Sequence, residues 1–207
     1  MKKDELKLLV TISIAISAIL GVIYIVVLKK EPNIKEGFRA VSFGITAATL
    51  FWTFHFSWGW KIWGLKKLFY RPNLNGTWSG ILKSDYVDEN GKTCDDIDFF
   101  IVIRQSFLRI HFTTFTNSFI GTSYSETISL KKETGLKNVS YLYRKETSQD
   151  DDDFLQEGAT ELRLIDSTTR KLEGKYWSNR KTNGKIDVKF ISKKTVDSFN
   201  DAKSLIN

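Results

Sequence analysis

Two uncharged stretches of 21 residues, 8–28 and 40–60, stand near the start of this 207-residue chain, with His55 the one titratable group in the second. A lipid hydrocarbon core is about 30 Å thick, and about 20 apolar residues cross it as a helix. Backbone groups in lipid must be hydrogen-bonded within their own segment, so each stretch reads as a helix. Residues 1–72 are thus expected to form a two-helix transmembrane hairpin, with the lipid bilayer as the first partner. A secretory leader is the competing reading of the first stretch. Its apolar region would run about 7–15 residues, and here a second span follows.

Charge separates the rest of the chain from this hairpin. Residues 1–72 carry 11 Lys and Arg against 4 Asp and Glu, whereas residues 73–207 carry 20 of each. The whole surplus of +7 therefore belongs to the first segment. A domain that binds DNA or RNA polymer carries its own basic stripe, and the neutral second segment argues against such a partner. The flanking cations also orient the hairpin. Lys2, Lys3, Lys7, Lys61, Lys66, Lys67 and Arg71 lie on the side of the two termini, against Lys29, Lys30, Lys35 and Arg39 in the connecting loop. That asymmetry places both termini in the cytoplasm. The single Cys94 allows no internal disulfide and suits a reducing compartment.

Small residues recur every fourth position in both apolar stretches: Ser13, Ser17 and Gly21, then Ala40, Gly44 and Ala48. Each trio makes a smooth stripe that lets a second backbone approach closely. The stripes are expected either to pack on each other or to serve assembly with a second copy. Trp52, Trp58, Trp60 and Trp63, interleaved with Lys61, Lys66 and Lys67, suit the headgroup region.

After Arg71-Pro72-Asn73 the apolar period shortens to two. Strands are expected at 77–87, 97–105, 108–115, 119–131, 139–146, 160–166, 171–179 and 185–192. Turn signals separate them, including Asn90-Gly91 and Asn183-Gly184, both strong hairpin marks. Eight consecutive strands with short connections predict an antiparallel meander closed into a barrel, whose interior can hold one small ligand. The fold class is therefore a membrane α-helical hairpin followed by an all-β eight-stranded barrel at 73–207. A closing helix is expected over 196–206.

Catalytic sets are hard to assemble from two His and one Cys, so an enzyme is not expected, nor a metal site or cofactor. The four aspartates 150–153 read as a solvated loop. Polar and aromatic residues on inward strand faces say more. Gly174, Tyr176, Ser178 and Arg180 share one face, as do Phe100, Val102 and Arg104. Trp78 lies with Gly76 and Gly80, and Tyr124, Tyr141 and Tyr143 add aromatic surface. Aromatic faces stack bases for roughly 1–3 kcal/mol each, and Arg binds phosphate bidentately. A cavity so lined suits a flat base joined to phosphate. The same pattern also fits a filled core with outward arginines, and a membrane-tethered, lipocalin-like carrier of a hydrophobic ligand is the alternative function.

Two segments carry a family resemblance: Leu74-Asn75-Gly76-Thr77-Trp78-Ser79-Gly80, and Gly174-Lys175-Tyr176-Trp177-Ser178-Asn179-Arg180-Lys181-Thr182-Asn183-Gly184. Following a membrane hairpin, they resemble the two-transmembrane, β-strand-rich effectors of bacterial anti-phage CBASS systems. The resemblance implies a reduced, lipocalin-like barrel that binds a cyclic dinucleotide made by a partner CD-NTase. It further implies self-assembly through the membrane helices, disruption of the inner membrane, and death of the infected cell. It marks Trp78, Tyr176, Asn179 and Arg180 as ligand-binding candidates. Strand parity adds Arg104, Tyr124 and Tyr143.

Overall fold

The computed structural model describes residues 3–29, 31, 33–87, 91–131, 134–146 and 156–206, the side chains of 4, 67 and 146 aside. The chain divides into two compact units, Met1–Pro72 and Asn73–Asn207.

The first unit is helical. α1 runs Lys3–Val27 and α2 runs Ile34–Ser57. Asn33 caps α2, its side-chain oxygen accepting from the Glu36 amide at 2.9 Å. The small residues lie on the seam between the helices. A Cβ on Gly44 would overlap the Ser17 backbone, and one on Gly21 would press on the Ala40 carbonyl. Ala40 and Ala48 are buried, and the Trp52 indole donates to Ser13 Oγ at 2.8 Å. Ser13, Ser17, Gly21, Ala40, Gly44 and Ala48 thus close one hairpin upon itself. At its other end Arg71 grips Glu5 through two 2.9 Å bonds.

Among the described residues one helix is long and apolar enough to cross a membrane, over Glu5–Val27. The second uncharged stretch does not coincide with one helix. α2 begins ahead of it, takes in Lys35, Glu36 and Arg39, and ends at Ser57, after which Gly59–Lys61 tightens into a 3-10 turn. Thr46, Thr49, Thr53 and His55 further lower its apolar content.

The second unit is a closed barrel of eight antiparallel strands in chain order. They are β1 (Gly76–Ser84), β2 (Ile97–Gln105), β3 (Ile110–Phe115), β4 (Ile120–Leu130), β5 (Lys137–Glu146), β6 (Glu157–Asp166), β7 (Arg170–Ser178) and β8 (Asn183–Ser192). β1 pairs with β8 to close the ring, which removes the sheet edges. A short helix α3 (Phe199–Ser204) follows, within the closing helix expected from the sequence. Its apolar side packs Phe199, Ala202 and Leu205, with Val196, on Phe100, Val102 and Phe115, outside the barrel.

That helix reverses one expectation. β2 is covered on both faces. Phe99, Ile101 and Ile103 fill the interior, while Phe100 and Val102 lie under α3. A strand buried on both sides shows no polar alternation from which to choose its inner face. Arg104 shares the phase of Phe100 and Val102, and so it lies on the outer wall.

The interior is filled at one end only. Trp78 is fully buried there, its indole donating to the Leu74 carbonyl at 3.0 Å. Phe190 meets it edge-on, and the Arg170 guanidinium lies 5.4 Å from both ring centres. Asn75 and Gln105 exchange bonds across this end, with Gln105 also accepting from the Leu74 amide. The chain therefore enters the barrel at its plugged floor, and the opposite end is free to hold a guest.

Candidate functional site

At the end away from Trp78 the barrel opens into a cavity of about 410 Å³. Small-molecule sites commonly measure roughly 300–1,000 Å³. Its inner wall is aromatic. Tyr141 and Tyr143 face inward from β5, Tyr176 from β7, and Phe99 from β2. Tyr141 stacks on Phe112 with ring centres 4.3 Å apart, which holds the wall from behind. The Tyr176 hydroxyl donates to Ser84 Oγ at 2.8 Å.

Two glycines make this wall possible. A Cβ at Gly158 would collide with the Tyr143 ring, and one at Gly184 with the Tyr176 ring and the Lys83 carbonyl. Gly184 is therefore required by its neighbours. The turn from β7 to β8 closes earlier, with Lys181 in the left-handed region at φ 59° and its amide bonded to the Ser178 carbonyl. The Asn183-Gly184 pair starts β8 instead of forming the bend expected of it. The Asn90-Gly91 mark falls partly, and the aspartates 150–153 wholly, outside the described residues.

The rim is cationic. Lys145, at the end of β5, and Arg180, in the turn after β7, both line the cavity, and no carboxylate does so among the described residues. The Lys145 ammonium sits 3.7 Å from the centre of the Phe119 ring. Burial, and then the nearby Arg180 charge, pushes its amine down to about 8. The tyrosines move the other way. Burial chiefly raises Tyr141, Tyr143 and Tyr176 above the usual phenol range, so all three stay neutral hydroxyls at physiological pH. The cup thus offers neutral donors and ring faces within, and positive charge at its lip.

Of the seven residues expected at the site, Tyr143, Tyr176 and Arg180 come together on this cavity. Trp78 belongs to the floor. Asn179 stays at the rim of the β6–β7 ladder, where its side-chain oxygen accepts from the Glu157 amide at 3.2 Å. Arg104 lies outside, 44% exposed, and pairs with Asp197. Tyr124 also points outward and is 53% exposed, beneath the Arg144 guanidinium. Its displacement has a local cause. A bulge between Ser123 and Ser125 opposes Tyr143 and Leu142, and the extra residue is Tyr124. Ser123 anchors that bulge, accepting from the Phe112 amide and contacting His111 Nδ1 and Glu126. Serine and carboxylate meet the same ring nitrogen, so these three groups form no proton relay, which needs opposite nitrogens.

Lys145 went unrecognised in the sequence although a signal existed. The two-residue step that carries Tyr141 and Tyr143 inward continues to Lys145.

The sequence profile described as "Cap15, cyclic dinucleotide receptor domain" matches residues 69–189, more than half of the chain. The chain belongs to the Cap15 family. That is the CBASS family which the two sequence segments resembled, and its description is of a binding domain. A curated relative, "CD-NTase-associated protein 15" of Escherichia albertii, is 29% identical over 147 residues, covering 69% of this chain and 72% of that protein. The matched region includes all the residues that line the cavity, from Leu82 to Ile186.

Proposed function

We propose that this protein is a CBASS effector whose barrel receives a cyclic dinucleotide and whose N-terminal hairpin acts on the bacterial inner membrane. One observation carries the reading: Lys145 and Arg180 stand over a tyrosine-lined cavity free of carboxylates among its described lining residues, in a Cap15-family receptor domain. Two phosphates match two cations, and two bases match the ring faces. Cations at the lip disfavour the carrier alternative, since a wholly apolar guest would take solvent from their charge and supply no anion in return.

The hairpin reading extends to both helices. The hydroxyls of Thr46, Thr49 and Thr53 each bond the carbonyl four residues back, at 2.9 Å, and so need no water. Glu36 pairs with Arg39 and accepts from the Tyr24 hydroxyl, which offsets two of the three charges at the entrance of α2. Both termini would then lie in the cytoplasm, where a CD-NTase delivers the ligand. Binding would shift copies toward an assembled, membrane-disrupting state by its differential affinity for the two states. Because the small-residue seam is used within one hairpin, assembly would draw on the outward apolar faces, such as Ile14, Val22, Val41 and Ile45.

The test is a melting assay on the full chain in lipid nanodiscs with cyclic di-AMP, cyclic di-GMP, cyclic GMP–AMP and cyclic UMP–AMP. At least one ligand raises the barrel's melting temperature by several degrees. A panel without any shift overturns the receptor reading.

A further inference from the structure

Lys145 holds a position that the receptor reading alone does not explain. A phosphate-binding lysine would ordinarily stand in water as a permanent cation. This one is half-buried at the end of β5, with its amide bonded to the Gln156 carbonyl at 2.9 Å and its ammonium laid against Phe119. Among the described residues, the groups that line the cavity beside it are uncharged or positive. Phe119 comes from the turn before β4, Tyr143 from β5 itself, Tyr176 from β7, and Arg180 from the β7–β8 turn. Across the cavity stand Ser84, Tyr86 and Cys94. The nearby Glu157 is engaged by Arg144 at 3.0 Å. The Glu146 side chain and residues 147–155 lie outside the described residues.

A second cation in a partly dry cup is costly unless an anion shares the space. We infer that ligand binding here is proton-linked, with Lys145 entering the complex as an ammonium and the cup taking up a proton together with its anionic guest at mildly alkaline pH. The inference rests on the receptor reading and adds a regulation to it. Protonation moves with occupancy because a phosphodiester beside Lys145 supplies a negative charge that none of the described lining residues carries. The sign follows from the direction of the shift. The amine is depressed to about 8 in the empty protein, and an adjacent phosphate raises it, so affinity is full below pH 8 and is lost above it. The three raised tyrosines stay neutral, so they do not supply this dependence.

The experiment is calorimetry on the full chain in nanodiscs, using whichever of the four cyclic dinucleotides shifts its melting. Wild-type affinity falls about twentyfold between pH 7.5 and 9.5, as expected for a group titrating near 8 that must be protonated in the complex. At pH 8.5, buffers of different ionisation enthalpy report uptake of about three-quarters of a proton. Lys145→Arg, always charged, binds with less than threefold change over the same range, and Lys145→Met binds weakly at every pH. A flat wild-type profile with no proton uptake overturns the linkage while leaving the receptor reading intact. So does an equal fall in Lys145→Arg, which would assign the dependence to another group or to the ligand's bases. A panel without any binder overturns the receptor reading first and the linkage with it.

Discussion

Replacing Arg180 and Arg104 separately with alanine tests whether the cup is the receptor site. Both are arginines, both were expected inside the barrel, and the fold separates them. Arg180 lines the cavity, whereas Arg104 pairs with Asp197 on the outer wall. A hydrogen bond to a charged partner contributes about 1.5–3 kcal/mol. Arg180 is exposed, so solvent screening pulls its share to the lower end, about 1.5 kcal/mol or roughly tenfold in Kd. Losing Arg104 removes an exposed ion pair worth about 0–1 kcal/mol of stability and touches no ligand. Titration of the full chain with the active cyclic dinucleotide should therefore show about tenfold weakening for Arg180→Ala and less than twofold for Arg104→Ala. Melting temperatures without ligand should stay within a few degrees of each other. Equal weakening by the two variants, or tight binding by Arg180→Ala, would refute the assignment of the site to this cavity.

Gly184→Ala should lower the unliganded melting temperature by about 3–10 °C, because a Cβ there meets the Lys83 carbonyl and the Tyr176 ring, and overpacking of this kind costs about 1–3 kcal/mol. An unchanged melting temperature in thermal denaturation would show that Tyr176 is not held as described. Gly44→Leu should abolish toxicity on expression by forcing the two helices apart at Ser17, and the membrane-inserted hairpin should lose its resistance to protease. Intact resistance with killing lost would mean that the stripe works between copies.

Much of this protein was legible before folding because its periods are simple. An uncharged run long enough for lipid, then eight short runs of period two, leave few alternatives, and the eight-stranded antiparallel barrel follows from them. Tyr143 and Tyr176 could be placed inward because their strands keep strict alternation, with Val139 and Tyr141 in phase with one and Leu172 in phase with the other. Alternation fails where a strand is covered twice or carries an extra residue. Arg104 was misplaced by the first cause, since α3 hides the outer face of β2. Tyr124 was misplaced by the second, since a bulge anchored by Ser123 turns it outward. The second uncharged stretch taught a related lesson, because absence of charge does not fix where a helix begins and ends. α2 starts in charged residues and stops short of Trp60.

Family membership and the order of strands rest on patterns along the chain, and the amino-acid sequence by itself determined them. What it could not contain is which end of the barrel is empty. Trp78, Arg170 and Phe190, distant in sequence, meet to plug the floor, while Gly158 and Gly184 leave room for tyrosine rings that they never adjoin in the chain. Lys145 and Arg180 likewise become one cationic lip only when β5 and the β7–β8 turn converge on the same mouth. A cavity is a relation among side chains brought together by closure of the sheet, and so tertiary structure alone decided where charge and aromatic surface coincide.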